Sequence, residues 1–412
     1  MKQKKAGAWN VLISLICIYG VFSGILGNTI GIFFSAIRSD LGFRAGDLSL
    51  YYMIKSFTAA AVISRRTKKF LTKGRARSVM ITDEILACLS FAVMGSFHFL
   101  WQWYLSAIVM GFALSNYFVG VPIVLNNWFV KRRGLVLGIA MSASGIIAAV
   151  LSPVISSLIT SIGWRSAIRI VGLISLAAML IPTVLWFRFS PAETGETAYG
   201  SEDESEKKAP SSSHPPVHYN IPDSIFIVLL FAALIPDMII TFASQVPTFA
   251  TDIGYSLAAA SLLNSFIMVG NISGKLISGA AIDRFGVYPT AIAFISISGF
   301  SLLLYLAGQS SYPVLAAASV CFGFLYAISV NVQPMLLVDL YGPDDYQMTM
   351  SRVKRVTYIV GALASAGFPY VYDFTGSFNP VFIFGAAAAA VSVVLFLKLY
   401  RFRRERTVTT VQ

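Results

Sequence analysis

Apolar residues recur along this chain in runs near 20 residues, separated by short polar segments. A run of that length crosses the hydrocarbon core of a bilayer as a helix. The pattern predicts twelve spans, with cores at 9–36, 48–64, 79–99, 101–125, 134–160, 166–187, 224–249, 257–282, 288–307, 312–338, 350–371 and 379–399. The first is long enough to need tilt or trimming, and spans 2 and 8 are the least apolar, as suits helices that line a polar cavity. Residues 190–222 break the pattern: they are rich in Ser, Glu and Pro, and include Ser201-Glu-Asp-Glu-Ser-Glu-Lys-Lys208. Such a composition buries too little apolar surface to fold and predicts a disordered cytoplasmic linker. The expected organisation is an all-α membrane protein. It has a six-helix bundle over 1–189, the linker over 190–222, a second six-helix bundle over 223–400 and a basic cytoplasmic tail over 401–412.

Composition supports this frame. The chain has 412 residues, 56% hydrophobic and only 12% charged, where a soluble domain carries about 25% charged residues. Its mean hydropathy is +0.73. The net charge of +12 does not call for nucleic acid, because the basic residues follow a membrane topology. With the N-terminus in the cytoplasm, the inner segments hold Lys2, Lys4, Lys5, the run Arg65–Arg77, Lys131, Arg132, Arg133, Arg188, Arg284, Lys398 and the Arg401–Arg406 cluster, while the opposite face holds only Arg38, Arg44, Arg165 and Arg169. That asymmetry predicts both termini inside, at a cell inner (plasma) membrane. No short apolar core with a small-residue cleavage site marks a secretory signal. Cys17, Cys88 and Cys321 fall inside spans without metal-ligand spacing and read as packing residues. His214 and His218 in the linker make a poor metal site, and no cofactor is expected. No nucleophile–base pair, phosphate loop or metal cluster points to an enzyme.

The chemistry lies in charges placed inside apolar runs. Lys275 sits in the middle of span 8, where a lysine costs roughly 2.5 to 3.5 kcal/mol to insert and needs a partner or a wet cavity. Arg352, Lys354 and Arg355 enter span 11. Arg352 and Arg355 share a helix face, and Lys354 points about 100° away. Inward cations suit small organic anions as substrate. Asp237 in span 7 has no local cation; it is a candidate proton site, or a partner that neutralises one lysine. Lys55 in span 2 either funnels anions inward or snorkels to the interface. Asn28, Asn116, Tyr117, Asn271, Tyr326, Asn331 and Gln333 supply further polar groups without adding charge.

The two halves are related. Asp40-Leu-Gly-Phe43 precedes span 2 and Asp252-Ile-Gly-Tyr255 precedes span 8, 212 positions later, and the same offset aligns Gly286 with Gly74. Repeated halves with a midplane site are the architecture of alternating-access transporters. Gly20, Gly24, Gly27 and Gly31 in span 1 allow close helix approach.

Gly279-x-x-x-Asp283-Arg284-x-Gly286 resembles the loop signature of the major facilitator superfamily. Asn127-Trp128-Phe129-Val-Lys-Arg132-Arg133-Gly134, Gly163-Trp164-Arg165 and Asp373-Phe-Thr-Gly376-Ser377-Phe378 are similar to the oxalate–formate antiporter and monocarboxylate transporter group. The resemblance covers nearly the whole chain apart from the linker. It implies that Lys275, eight positions before Asp283, binds the substrate carboxylate, with Lys354 assisting. It also implies that Gly279, Asp283, Arg284 and Gly286 act in gating. Two departures stand out. The usual span-8 residue is an arginine, which grips a carboxylate bidentately, whereas lysine is a point charge. Asn271 stands where proton-coupled relatives often carry an acid, which leaves Asp237 as the proton candidate. The first-half loop has Leu71-Thr72 where the second has Asp283-Arg284, so the second-half loop is expected to hold the inward gate.

The expected function is secondary transport of small organic carboxylates. It is either proton symport of a monocarboxylate such as lactate or pyruvate, or exchange of the oxalate–formate type. The expected partners are a small organic anion, protons or a counter-anion, and membrane lipids. Drug efflux fits less well: Gly145 and Ser152-Pro153 only partly match its span-5 signature, and inward cations disfavour cationic drugs. A transport-dead carboxylate sensor is the reading from another class.

Overall fold

The computed structural model describes residues 6–72, 74–129, 133–200 and 223–409, and among these the regular structure is helical apart from one isolated bridge between Phe129 and Tyr199. The chain forms two compact units, Met1–Phe43 with Leu50–Ser213, and Arg44–Ser49 with His214–Gln412.

The first unit begins with α1 (Ala6–Tyr19), a π-helical stretch (Gly20–Asn28) and α2 (Ile30–Leu41), which together form one span. It continues through α3 (Ala45–Leu71, whose residues up to Ser49 count with the second unit), α4 (Ala76–Val93), α5 (Leu100–Trp128), α6 (Arg133–Ile162) and α7 (Trp164–Leu185). Small residues let helices approach closely. A Cβ on Gly24 would lie 2.8 Å from the Ser144 carbonyl of α6, and one on Gly172 would meet the Ala92 backbone at 2.9 Å. The glycine-rich π stretch therefore packs its backbone on α6.

The second unit holds α8 (Asp223–Ile239), a 3-10 turn (Ile240–Gln245), α9 (Val246–Asp252), α10 (Leu257–Phe285) and α11 (Val287–Ala307). These are followed by α12 (Tyr312–Gly323), a single turn α13 (Leu325–Ala327), a π-helical stretch (Ile328–Val332), α14 (Gln333–Thr375) and α15 (Asn379–Thr409). Its apolar centre is an aromatic stack around Phe242, Phe249, Tyr305, Phe378 and Phe382, with Tyr305 and Phe382 stacked at 5.6 Å. Within this unit, Asp373 accepts hydrogen bonds from the backbone N–H groups of Ala45 at 3.0 Å and Gly46 at 2.6 Å.

Nine helices among the described residues are long and apolar enough to cross a membrane. With α3, α5 and the distal part of α14, this is consistent with twelve spans. The protein is a multi-pass membrane protein.

Three local features differ from the sequence pattern. The helix of α14 runs without interruption through 339–349, where a loop is expected. The basic tail is helical as far as Thr409, and Arg403 donates to Asp339 at 3.0 Å. The beginning of the expected linker is ordered. Pro191–Glu193 forms a 3-10 turn, the Trp128 indole N–H donates to the Arg188 carbonyl at 2.9 Å, and the Tyr199 N–H donates to the Trp128 carbonyl at 2.8 Å. Tyr199 packs on Trp9 and Phe129, so aromatic contacts order a segment whose composition alone would leave it unfolded. The rest of the linker, with His214 and His218, lies outside the described residues.

Candidate functional site

The polar centre of the second unit is built where helices break. α8 ends after Pro236-Asp237 and turns into a 3-10 segment at Ile240. Opposite in sequence, the π-helical stretch Ile328–Val332 supplies extra polar groups at one place, a use for which π-bulges are known. Ser329 donates a hydrogen bond to Asp237 Oδ1, and Gln333 Nε2 donates to the same oxygen at 3.2 Å. Gln333 Nε2 also donates to the Ala233 carbonyl at 3.0 Å. Lys354 Nζ on α14 donates to Asp237 Oδ2 at 3.0 Å in a salt bridge. Both side chains are mostly buried, with 12% of Asp237 and 20% of Lys354 exposed. Asp237 is thus a carboxylate with one cation and two neutral donors, the arrangement that keeps a buried charge satisfied.

The same short stretch reaches α10. Asn331 Nδ2 donates to the Lys275 carbonyl at 2.8 Å and to Ser278 Oγ at 2.7 Å. Ser278 Oγ donates to the Lys275 carbonyl at 3.0 Å. Five residues, Ser329 to Gln333, therefore tie the turn that carries Lys275 to the Asp237–Lys354 pair. A glycine contact fixes α10 further. A Cβ on Gly270 would strike the Val320 carbonyl of α12, and one on Gly323 would strike the Ile267 carbonyl of α10. The two backbones touch one turn before Lys275. The Lys275 side chain is half-buried, and its ammonium has no acidic partner among the described residues.

The other predicted residues fall in different surroundings. Asn271 is 1% exposed, with Nδ2 3.7 Å from Met268 Sδ and Oδ1 without a hydrogen-bond partner among the described residues. Tyr326 is half-buried in the single turn α13. Arg352 and Arg355 are exposed, whereas Lys354 between them is turned inward, as the 100° offset requires. Asp283 and Arg284 are exposed at the end of α10; Asp283 has no partner among the described residues, and the Arg284 guanidinium lies 5.2 Å from the Phe285 ring centroid. A Cβ on Gly279 would meet nothing within 4 Å, and Gly286 has φ +87°.

Asn28 and Tyr117 belong to the first unit. Asn28 ends the π stretch. Tyr117 is fully buried, its ring stacked 3.7 Å from that of Phe22 and its hydroxyl without a hydrogen-bond partner among the described residues. The Asn116 side chain lies outside the described residues. Lys55 is held over the faces of Tyr52 and Tyr51, at 5.2 and 5.5 Å from the ring centroids.

The sequence reading passes over one constellation in this unit. Asp83 and Glu84 on α4 are both fully buried. Asp83 pairs with Arg66, whose guanidinium lies 3.9 Å from the Phe112 ring centroid, and Glu84 lies against Thr183. The signal was two adjacent acids inside an apolar run, Val79 to Phe91.

The sequence model of the Major Facilitator Superfamily matches residues 16–246 and again 225–411. The chain belongs to the major facilitator superfamily. Its relatives in this superfamily include monocarboxylate transporter 13 of Rattus norvegicus, 23% identical over 387 residues, covering 92% of this chain and 86% of that one. The MFS-type transporter pynF of Aspergillus niger is 24% identical over 295 residues, covering 69% of this chain; the chain spans 64% of that protein's length. Among solved members of the superfamily fold, the nucleoside transporter NupG superposes with a TM-score of 0.71 at 14% identity, covering 95% of this chain and 98% of that one. The chain is a transporter of the major facilitator fold, monocarboxylate transporter-like in sequence, and not an enzyme.

Proposed function

We propose that this protein is a secondary transporter of small organic carboxylates, such as lactate or pyruvate, that takes up a proton with its substrate by alternating access. The observation that carries this reading is the unequal state of two inward lysines. Lys354 is neutralised by Asp237, while Lys275 has no acidic partner among the described residues. Lys275 is the group that receives a substrate carboxylate, through a charge-assisted hydrogen bond. Asp237 is the proton site. Protonation converts it to a neutral acid, weakens its hold on Lys354 and frees that ammonium for the substrate, so that the proton and the anion bind together. Ser329, Gln333 and Asn331 keep the two lysines in register through the hydrogen bonds above. Within the second unit Asn271 and Tyr326 are proposed as further polar groups for the substrate, and Gly279, Asp283, Arg284 and Gly286 as gating positions; Asn28, Asn116 and Tyr117 are proposed as the polar groups that the first unit offers. The basic residues of the inner segments support insertion in the plasma membrane with both termini cytoplasmic.

A second reading is exchange of a dicarboxylate of the oxalate type. It is favoured by the presence of two lysines in one polar centre.

Uptake of labelled lactate into proteoliposomes with an acid-outside gradient separates the readings. The proposal expects gradient-driven uptake that is lost in Lys275→Ala. Uptake that ignores the gradient and requires carboxylate inside the vesicle establishes exchange. Absence of flux with either lactate or oxalate overturns both and leaves the sensor reading.

A further inference from the structure

Glu84 poses a proton-counting problem that the Asp237–Lys354 pair does not. Its Oε1 lies 2.5 Å from Thr183 Oγ1, and Thr183 Oγ1 in turn lies 2.9 Å from the Met179 carbonyl oxygen. A hydroxyl has one proton and a carbonyl can only accept. If Glu84 were ionised, one proton would have to serve both oxygen–oxygen contacts. A proton on Glu84 resolves this: the acid donates to Thr183 Oγ1, and Thr183 donates to the Met179 carbonyl.

The surroundings agree. Glu84 is 0% exposed, and its second oxygen, Oε2, has no hydrogen-bond partner among the described residues. The cation at hand, Arg66, is engaged with Asp83 next door and packed on Phe112. The ionisable groups around Glu84 are Asp83 and Cys88 on its own helix, Tyr117 on α5 and Arg66 on α3, and among the described residues no cation forms an ion pair with Glu84 itself. From α7, the contact is the hydroxyl of Thr183. An ionised carboxylate there would be desolvated, bare on one oxygen and beside another negative charge.

We propose that Glu84 is a proton-binding site of the first unit, separate from Asp237, in which Thr183 accepts the bound proton's hydrogen bond. Binding takes one proton from solvent and leaves a neutral carboxylic acid; release returns it. The site needs no substrate, so it stands or falls apart from the transport reading.

Infrared spectroscopy of the full chain in liposomes tests it. At neutral pH the wild type is expected to show a protonated-carboxyl C=O band that shifts on exchange into D2O. That band is lost in Glu84→Gln and retained in Asp237→Asn. A Glu84→Gln spectrum with the wild-type band intact, or loss of the band in Asp237→Asn alone, would overturn the proposal. Should Glu84→Gln fail to fold, Thr183→Val serves: removal of the acceptor is expected to shift the band, and an unmoved band overturns the assignment.

Discussion

Lys354 Nζ lies 3.0 Å from Asp237 Oδ2, so two charges 117 positions apart in the chain form one salt bridge inside the second unit. Truncating one partner leaves the other charged and poorly solvated, which is costlier than removing both. Lys354→Met is therefore expected to destabilise the protein by about 2 kcal/mol, between the values for surface and buried pairs. Lys354→Met with Asp237→Asn is expected to recover most of that loss. Thermal unfolding in detergent of the two single variants and the double variant measures the coupling; additive losses would contradict it.

Lys275 differs, because among the described residues it has no acid to leave behind. Lys275→Ala is expected to cost the substrate one charge-assisted hydrogen bond, about 1.5–3 kcal/mol, or roughly a tenfold to hundredfold weaker half-saturation, so that uptake is lost at lactate concentrations below the wild-type half-saturation. Its melting temperature is expected to hold or rise, since a mid-membrane charge is removed. Lys275→Arg is expected to retain transport, because the charge remains.

The glycines of α10 make opposite predictions. A Cβ at Gly270 meets the Val320 carbonyl, a backbone atom that cannot swing aside, whereas one at Gly279 meets open space. Gly270→Ala is expected to destabilise by about 1–3 kcal/mol through overpacking. Gly279→Ala is expected to change stability by less than about 0.5 kcal/mol, so that any effect on turnover reports gating. Gly286→Ala is expected to cost about 1–3 kcal/mol, because φ +87° with ψ 167° is a backbone conformation that essentially only glycine adopts. Chemical denaturation of the three variants gives the order.

Asp283 is exposed and has no partner among the described residues, so Asp283→Asn is expected to leave unfolding within about 0.5 kcal/mol of wild type. If the second-half loop holds the inward gate, the same variant lowers the transport rate while lactate binding is kept. Unchanged transport would remove Asp283 from the gate.

Much of this molecule is legible in its sequence, because a membrane imposes long apolar runs and makes each interior charge conspicuous. Lys275, Lys354 and Asp237 stand out for that reason alone. Their pairing does not: helix periodicity places Lys354 on a different face from Arg352 and Arg355 but says nothing of which acid it meets across 117 positions. The π-helical breaks at Gly20–Asn28 and Ile328–Val332 were also illegible, since each costs only a local change in hydrogen bonding. Tyr117 illustrates a further limit. A tyrosine in a span reads equally as a binding group or as core, and stacking on Phe22 is settled by a neighbour 95 positions away. Asp83 and Glu84 are visible as acids in an apolar run, but their different partners, Arg66 for Asp83 and Thr183 for Glu84, lie on two other helices.

The most direct test of the account is the proton that accompanies the substrate. Lactate is added outside proteoliposomes that enclose a pH dye, with no gradient imposed and valinomycin and potassium present to collapse any membrane potential. The account predicts internal acidification that is abolished by both Asp237→Asn and Lys275→Ala. Lactate entry without acidification, or acidification that survives Asp237→Asn, would contradict it.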